Sequence, residues 1–317
     1  MTSGTAATTF VTGAAGFIGI ELVKILVSRG HPVFGLAQSA RAADSVRRAG
    51  GIPVIGDLLE PGAWQDEATA ADWVFHIPPH PQPGPRVTRK RDAAATRARL
   101  SMDAHLLDAV ATGTTRRIVY VTDASCYGSR GSRRITEDEP LQPSEWGRCL
   151  IPALERVEGY LVCGLPIVTA LPGWVYGDGS WFLDYVIEPV MKGRPVFQFG
   201  KTGPLVSPVH IHDCARALVH LAAHGETGRR YFVVNSDPVF LSEFADLFAR
   251  AAKRRLRVWP LPGAAAQYLL GRGQADYIQS NAVFSNVRLR ATGFRFVYPT
   301  LEQGVQQVLA AMQERTG

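Results

Sequence analysis

Gly13, Gly16 and Gly19 follow directly on the β-prone run Thr8-Thr9-Phe10-Val11-Thr12. Glycines so placed let a backbone come close to a phosphate, and the first turn of a helix beyond them offers free N–H groups and a partial positive charge. The chemistry implied is the binding of a dinucleotide's pyrophosphate. A glycine triplet alone also suits plain turns, so the surrounding elements carry the weight. Two other groups have ligand-forming side chains, His210-x-His212-Asp213 and the pair His76 and His80. Pro78 and Pro79 rule out the helix that would bring His76 and His80 onto one face. Cys126, Cys149, Cys163 and Cys214 form no C-x-x-C pair, so neither a disulfide framework nor a zinc site is expected.

The glycines act as a cradle only where a strand delivers them and a helix receives the phosphate. β-rich runs recur at 8–12, 33–37, 52–55, 73–77, 118–122 and 167–171, with gaps long enough for crossover helices. The alternation predicts an α/β fold, a Rossmann-type doubly wound parallel sheet, over residues 1–172. Residues 173–317 lose that regularity and predict a smaller C-terminal substrate lobe, with some segments returning to the core. A long helix is expected over 91–110, before Gly113. Trp146, Leu150, Leu154, Val157 and Leu161 recur at helical spacing, predicting a helix with one buried stripe that Pro152 kinks or restarts. Prolines 78, 79, 81, 83 and 85 predict an extended loop after the fourth strand.

With 317 residues, 46% of them hydrophobic, the chain can bury a large core without staples. The net charge of +6 comes from basic residues scattered along the chain, except for short groups at 86–99 and 250–257. No zinc-finger or RNP-like pattern accompanies them, so no nucleic-acid partner is expected, and a modest positive balance suits an anionic cofactor. The opening Met-Thr-Ser-Gly-Thr-Ala-Ala is unlike a signal peptide, and no apolar run is long enough to cross a bilayer. The expectation is a soluble cytoplasmic protein with no membrane partner.

Val11-Thr12-Gly13-Ala14-Ala15-Gly16-Phe17-Ile18-Gly19 closely resembles the G-x-x-G-x-x-G fingerprint of extended short-chain dehydrogenases/reductases, the NAD-dependent epimerase/dehydratase group. Gly56-Asp57-Leu58, Asp72-Trp73-Val74-Phe75-His76 and Val119-Tyr120-Val121-Thr122 through Tyr127-Gly128 resemble later family motifs, in order. So do Pro172-Gly173-Trp174-Val175-Tyr176-Gly177, Pro208 to Asp213, and Phe296 to Gly304, so that the resemblance spans nearly the whole chain. It implies that Gly13, Ala15, Gly16, Phe17, Ile18, Gly19, Asp57, Leu58, Ile77 and Pro172 hold the cofactor. It also makes His210-x-His212-Asp213 a structural lead into a helix, with no metal. After the second strand, Leu36-Ala37-Gln38-Ser39-Ala40-Arg41 carries no acid for ribose hydroxyls, and Gln38 and Arg41 favour NADP(H) over NAD(H). Arg41 also reads as a plain exposed loop residue.

The resemblance breaks at the family's proton chemistry. There a tyrosine exchanges a proton with the substrate oxygen, a lysine four residues on lowers its pKa, and a serine or threonine positions the substrate. At the matching places stand Trp146, Leu150 and Asp123, and none of the 9 tyrosines has a lysine four residues later. Trp146 and Leu150 on one helical face would form an apolar wall, which would desolvate an opposing carboxylate and move it toward a useful acid–base range. Asp123 is the expected carboxylate, and the expected catalytic set is Asp123, Ser125, Tyr127, Trp146 and Tyr176, with Cys149 and Trp174 nearby. Core packing for Trp146 and Leu150, and turn capping for Asp123, are the plainer readings.

Three functions fit. First stands an enzyme using acid–base chemistry on a small polyfunctional metabolite: isomerisation, dehydration, a lyase step or cyclisation. An NADPH-dependent reductase with a substitute proton donor is second, and a non-catalytic NADP-sensing regulator third. Trp174, Tyr176, Trp181, Phe182 and Tyr185 could line a small-molecule pocket, which favours an enzyme. A nucleotide sugar finds no diphosphate grip beyond single residues such as Arg194 and Arg216. The resemblance implies a homodimer through the long helices, including 145–163.

Overall fold

The computed structural model describes residues 6–79, 89–180, 186–200, 203–235 and 237–316. The chain alternates strand and helix through β1 (Thr9–Thr12), α1 (Phe17–Ser28), β2 (Val33–Ala37), α2 (Ala40–Arg48), β3 (Ile52–Ile55), α3 (Trp64–Ala70), β4 (Trp73–His76), α4 (Arg89–Val110), β5 (Arg117–Val121), α5 (Ile151–Val162) and β6 (Ile167–Pro172). Every residue of β1 and β6 is buried, as strands covered on both faces require. The sheet runs β3-β2-β1-β4-β5-β6 and then the strand Arg230–Val233, with all neighbours parallel. On one face α1, α2 and the helix Ile211–His224 bury Leu22, Leu26, Val46, Leu218 and Leu221. On the other, α3, α4 and α5 bury Trp64, Leu106, Leu107, Leu154 and Val157. Strand order reverses between β1 and β4, so a crevice opens at their carboxyl ends, where a doubly wound sheet binds its ligand.

The expected strands at 33–37 and 52–55 form with those bounds, and the other four shift at one or both ends by a residue. The helix expected across 145–163 is broken: a 3-10 turn, Arg148–Leu150, precedes α5, which begins afresh at Ile151. Pro152 has no N–H and sits in the first turn, where none is needed. His80 and the prolines at 81, 83 and 85 lie outside the described residues, as do Trp181, Phe182 and Tyr185.

Beyond β6 a separate core gathers Tyr176, Val186, Ile187, Phe244, Phe248, Val305 and Val308. A parallel ribbon joins Val196–Phe199 to Val258–Leu261. The helices Gly263–Leu270 and Arg272–Gln279 follow it. The His210 segment ties these parts together. His210 caps the helix Ile211–His224 and meets Gln307 at 2.9 Å, while Asp213 accepts the Val297 and Tyr298 N–H groups at 2.8 Å each.

Candidate cofactor and substrate site

At the end of β1, Gly13 takes φ +64, and a Cβ there would lie 2.0 Å from the Ile77 carbonyl oxygen. A Cβ on Gly19 would lie 2.1 Å from the Gly13 oxygen, so both positions require glycine for the turn itself. Gly16 differs. It is exposed, starts α1 without a side-chain cap, and a Cβ on it would meet only the Gly13 oxygen, at 3.1 Å. The first N–H groups of α1 therefore face an open cradle that a side chain at Gly16 would fill, and this fits a pyrophosphate. Phe17 leans on Gly177 and Gly179, and Ile18 packs on the core below the turn.

The expected adenosine-side residues converge. Gln38 donates to Asp57 at 2.7 Å, Asp57 accepts the Leu59 N–H, and Leu58 is buried beneath them. Ser39 caps α2, leaving Arg41 exposed in its first turn. Behind the cradle lies a buried network. Thr12 Oγ1 meets His76 Nδ1 at 2.9 Å and accepts the Ile77 N–H at 3.0 Å. His76 Nε2 meets Asp103 at 2.8 Å, and Arg99 and Tyr120 donate to the same carboxylate. Burial opposes charge on Asp103, but Arg99 and His76 outweigh it and hold its carboxyl below the usual range; burial also holds His76 down, toward its neutral form.

Asp123 stands just past β5, where its carboxylate accepts the Ser125 N–H at 2.7 Å and so caps the turn Ala124–Tyr127. It also lines two cavities. One, about 30 Å³ and large enough for a water, is bounded by Ser125, Ser144, Pro172, Trp174, Tyr277 and Ser280. There the buried Ser125 hydroxyl, like that of Thr122 beside it, has no hydrogen-bond partner among the described residues. The other is a cleft of about 720 Å³ walled by Trp146, Phe197, Leu241, Val258, Leu270 and Tyr277 among others. Asp123 is the only carboxylate in its described lining, which contains no lysine or arginine.

Several expectations require correction. Trp146 and Leu150 share no helical face, because the break before α5 leaves Trp146 in a turn on the cleft wall and Leu150 fully buried. The Trp146 turn presses on the turn Ala124–Tyr127 that follows β5: a Cβ on Gly147 would lie 2.4 Å from the Ser125 oxygen. Tyr127 is buried and donates to the Glu137 carbonyl at 2.9 Å, so its hydroxyl is engaged away from the cleft. Tyr176 belongs to the lobe core, against Phe244 and Gly304. The residue that sequence reasoning missed is Tyr277, from the helix Arg272–Gln279. Its ring stands 5.1 Å from that of Trp146 and stacks on Trp174 at 5.5 Å. Burial and the Asp123 charge push its hydroxyl well above the ordinary tyrosine range, so it remains a donor. No spacing or motif links Tyr277 to residues so far back in the chain.

A family model, the NAD dependent epimerase/dehydratase family, matches residues 9–235. The chain is 27% identical over 275 residues to 4-hydroxy-2-methyl-3-oxo-4-farnesyl-3,4-dihydroquinoline-1-oxide ketoreductase of Stigmatella aurantiaca, covering 84% of this chain and 80% of that protein. UDP-glucose 4-epimerase of Thermus thermophilus, solved with NAD, superposes with a TM-score of 0.80 at 22% identity, over 96% of this chain and 99% of the other. Human epimerase family protein SDR39U1, solved with NADPH, does so with a TM-score of 0.78 at 21% identity, over the same shares.

Proposed function

The chain belongs to the NAD-dependent epimerase/dehydratase family, an extended short-chain dehydrogenase/reductase family of NAD(P)-dependent enzymes, and we propose from this that it is an NADP(H)-dependent reductase of an apolar, ring-bearing substrate. The observation that carries the reading is the position of Asp123, the lone carboxylate in the described lining of an apolar cleft, at the strand end that also faces the cofactor crevice. A bound reduced nicotinamide would supply a hydride there. The chain's own residues supply the rest. Gly13, Gly16 and the α1 N-terminus hold the pyrophosphate, Arg41 answers a 2′-phosphate, and Tyr277 donates a hydrogen bond to the substrate oxygen. Asp123 takes a proton up through the small cavity behind it and then delivers that proton to the substrate oxygen, completing a carbonyl's conversion to an alcohol. Trp146, Phe197 and Val258 exclude water and select flat, apolar molecules. A ketoreductase relative whose substrate carries a quinoline ring and a farnesyl chain supports the substrate class and moves the reading from net-neutral acid–base chemistry to reduction.

Asp123→Asn keeps the size of the side chain and much of the cap but has no proton to give. Turnover of an apolar aryl ketone, followed by loss of nicotinamide absorbance, is expected to fall about 10²–10⁴-fold with unchanged NADPH affinity and melting temperature. Product formed without matching loss of absorbance would refute the reductase reading and restore isomerase or lyase chemistry at the same carboxylate.

A further inference from the structure

The ribbon at the outer end of the cleft exposes large apolar side chains. Phe197 is 59% exposed and Trp259 58%, their rings stacked at 5.9 Å. Val258 beside them is 41% exposed, and on the next helix Tyr268 and Leu269 are 89% and 58% exposed. Phe197, Val258 and Leu269 also line the cleft, so the patch and the mouth are one continuous surface. A patch of this kind marks a binding face.

Charge surrounds the same place. Arg250, Lys253, Arg254, Arg255 and Arg257 are exposed and lead straight into the strand that carries Val258 and Trp259. The Val196 N–H donates to the Arg257 carbonyl at 2.8 Å and Arg257 reaches the Gly193 carbonyl at 3.5 Å, which sets exposed Arg194 beside them. Among the described residues only Arg250 of the five forms an ion pair, with Asp246 at 3.0 Å.

We propose that this mouth docks on an anionic lipid surface, with Phe197, Trp259 and Tyr268 at the headgroup level and the arginines on lipid phosphates. Tryptophan and tyrosine favour that boundary because each has an apolar body and a polar tip. Cations near it gain from the surface potential. The exposed aliphatic side chains Val258 and Leu269, continuous with an apolar cleft, point to lipid rather than nucleic acid, whose bases would stack on the aromatic rings but leave the aliphatic groups in water. No helix among the described residues is long and apolar enough to cross a membrane, so docking is peripheral. The reading of the cleft as the substrate site adds only what would enter there, an apolar molecule drawn from the bilayer; docking itself is testable without substrate or cofactor.

The test is sedimentation of the full chain with vesicles of phosphatidylcholine, or of phosphatidylcholine mixed with phosphatidylglycerol. Binding is expected to the mixed vesicles, weak to the neutral ones, and lost in about 1 M salt, where charges more than about 3 Å apart are screened. Each lipid-facing cation contributes about fivefold, so Arg254→Glu/Arg255→Glu is expected to weaken binding at least about 25-fold. Phe197→Ala/Trp259→Ala is expected to weaken it at every salt concentration at which the wild type binds, with circular dichroism and melting temperature as folding controls. No binding to mixed vesicles at low salt overturns the proposal. So does a dimer in light scattering that the Trp259 change dissolves in the absence of vesicle binding, since a second copy would then cover the patch. Loss of reductase activity with vesicle binding intact would remove the functional reading and leave the docking.

Discussion

Gly16 and Gly19 offer the same chemical change with opposite consequences. A Cβ at Gly19 would sit 2.1 Å from the Gly13 oxygen and 2.8 Å from the Ala14 Cα, both backbone atoms in the turn. They move only if the turn moves. Overpacking of that kind costs about 1–3 kcal/mol or more, and at about 2–4 °C per kcal/mol Gly19→Ala should melt several degrees below the wild type. A Cβ at Gly16 would meet one atom at 3.1 Å and otherwise face the cradle, so relaxation by a few tenths of an ångström accommodates it. Gly16→Val should therefore melt within about 2 °C of the wild type while its methyl groups occupy the phosphate position. Losing two charge-assisted hydrogen bonds, at about 1.5–3 kcal/mol each, raises the NADPH dissociation constant about 10²–10⁴-fold. Thermal melts and titration calorimetry read the two effects separately. The cradle assignment is wrong if Gly16→Val binds NADPH within about threefold of wild type, or if Gly19→Ala melts normally while losing only affinity.

Arg41→Ala should reduce the preference for NADPH over NADH by about tenfold, the effect of one exposed cation on a phosphate, with little change in NADH binding; equal losses for both nucleotides would remove Arg41 from the 2′-phosphate site. Tyr127→Phe leaves the Glu137 carbonyl without its donor, so stability should fall about 0.5–1.5 kcal/mol in urea melts while turnover stays unchanged; a large loss of turnover would return Tyr127 to the chemistry. His210 is held down to about 4 by burial, so it stays neutral in the fold while the unfolded chain takes up a proton below about 6.5. Its contribution is therefore complete above that pH and is lost as pH falls from about 6.5 to about 4, by up to about 3 kcal/mol. His210→Gln should flatten the melting-temperature profile across that window, and an unchanged acid slope would show that other groups carry it.

What the sequence shows well is what neighbouring residues decide. The need for glycine at Gly13 and Gly19 is legible because the clashes that demand it come from the same short turn and from Ile77 just past the adjoining strand. The strands are legible because burial on both faces leaves no charged residue in β1 or β6 and fills them largely with β-branched and other apolar side chains. The substrate wall fails for two physical reasons. The helix that Pro152 restarts begins at Ile151, so Trp146 and Leu150 lie ahead of it, with Trp146 in a turn on the cleft wall and Leu150 taken into the core. The other reason is distance along the chain. Tyr277 reaches the site by stacking on Trp174 while Trp146 closes on its ring, and no local pattern encodes a contact between segments so far apart. Tyr127 fails the opposite way: its motif is local, but its hydroxyl donates to the Glu137 carbonyl on the loop that follows, and Gly128, at φ +66, packs against the Gln142 backbone at the far end of that loop. A tyrosine at a familiar spacing thus became a structural tie, while one in the lobe came to stand beside Asp123. In the proposed reaction the hydrogen-bond donor to substrate then belongs to the lobe and the proton donor to the sheet, so the distance between these two layers, rather than a pair of residues on one helix, sets the geometry of proton delivery.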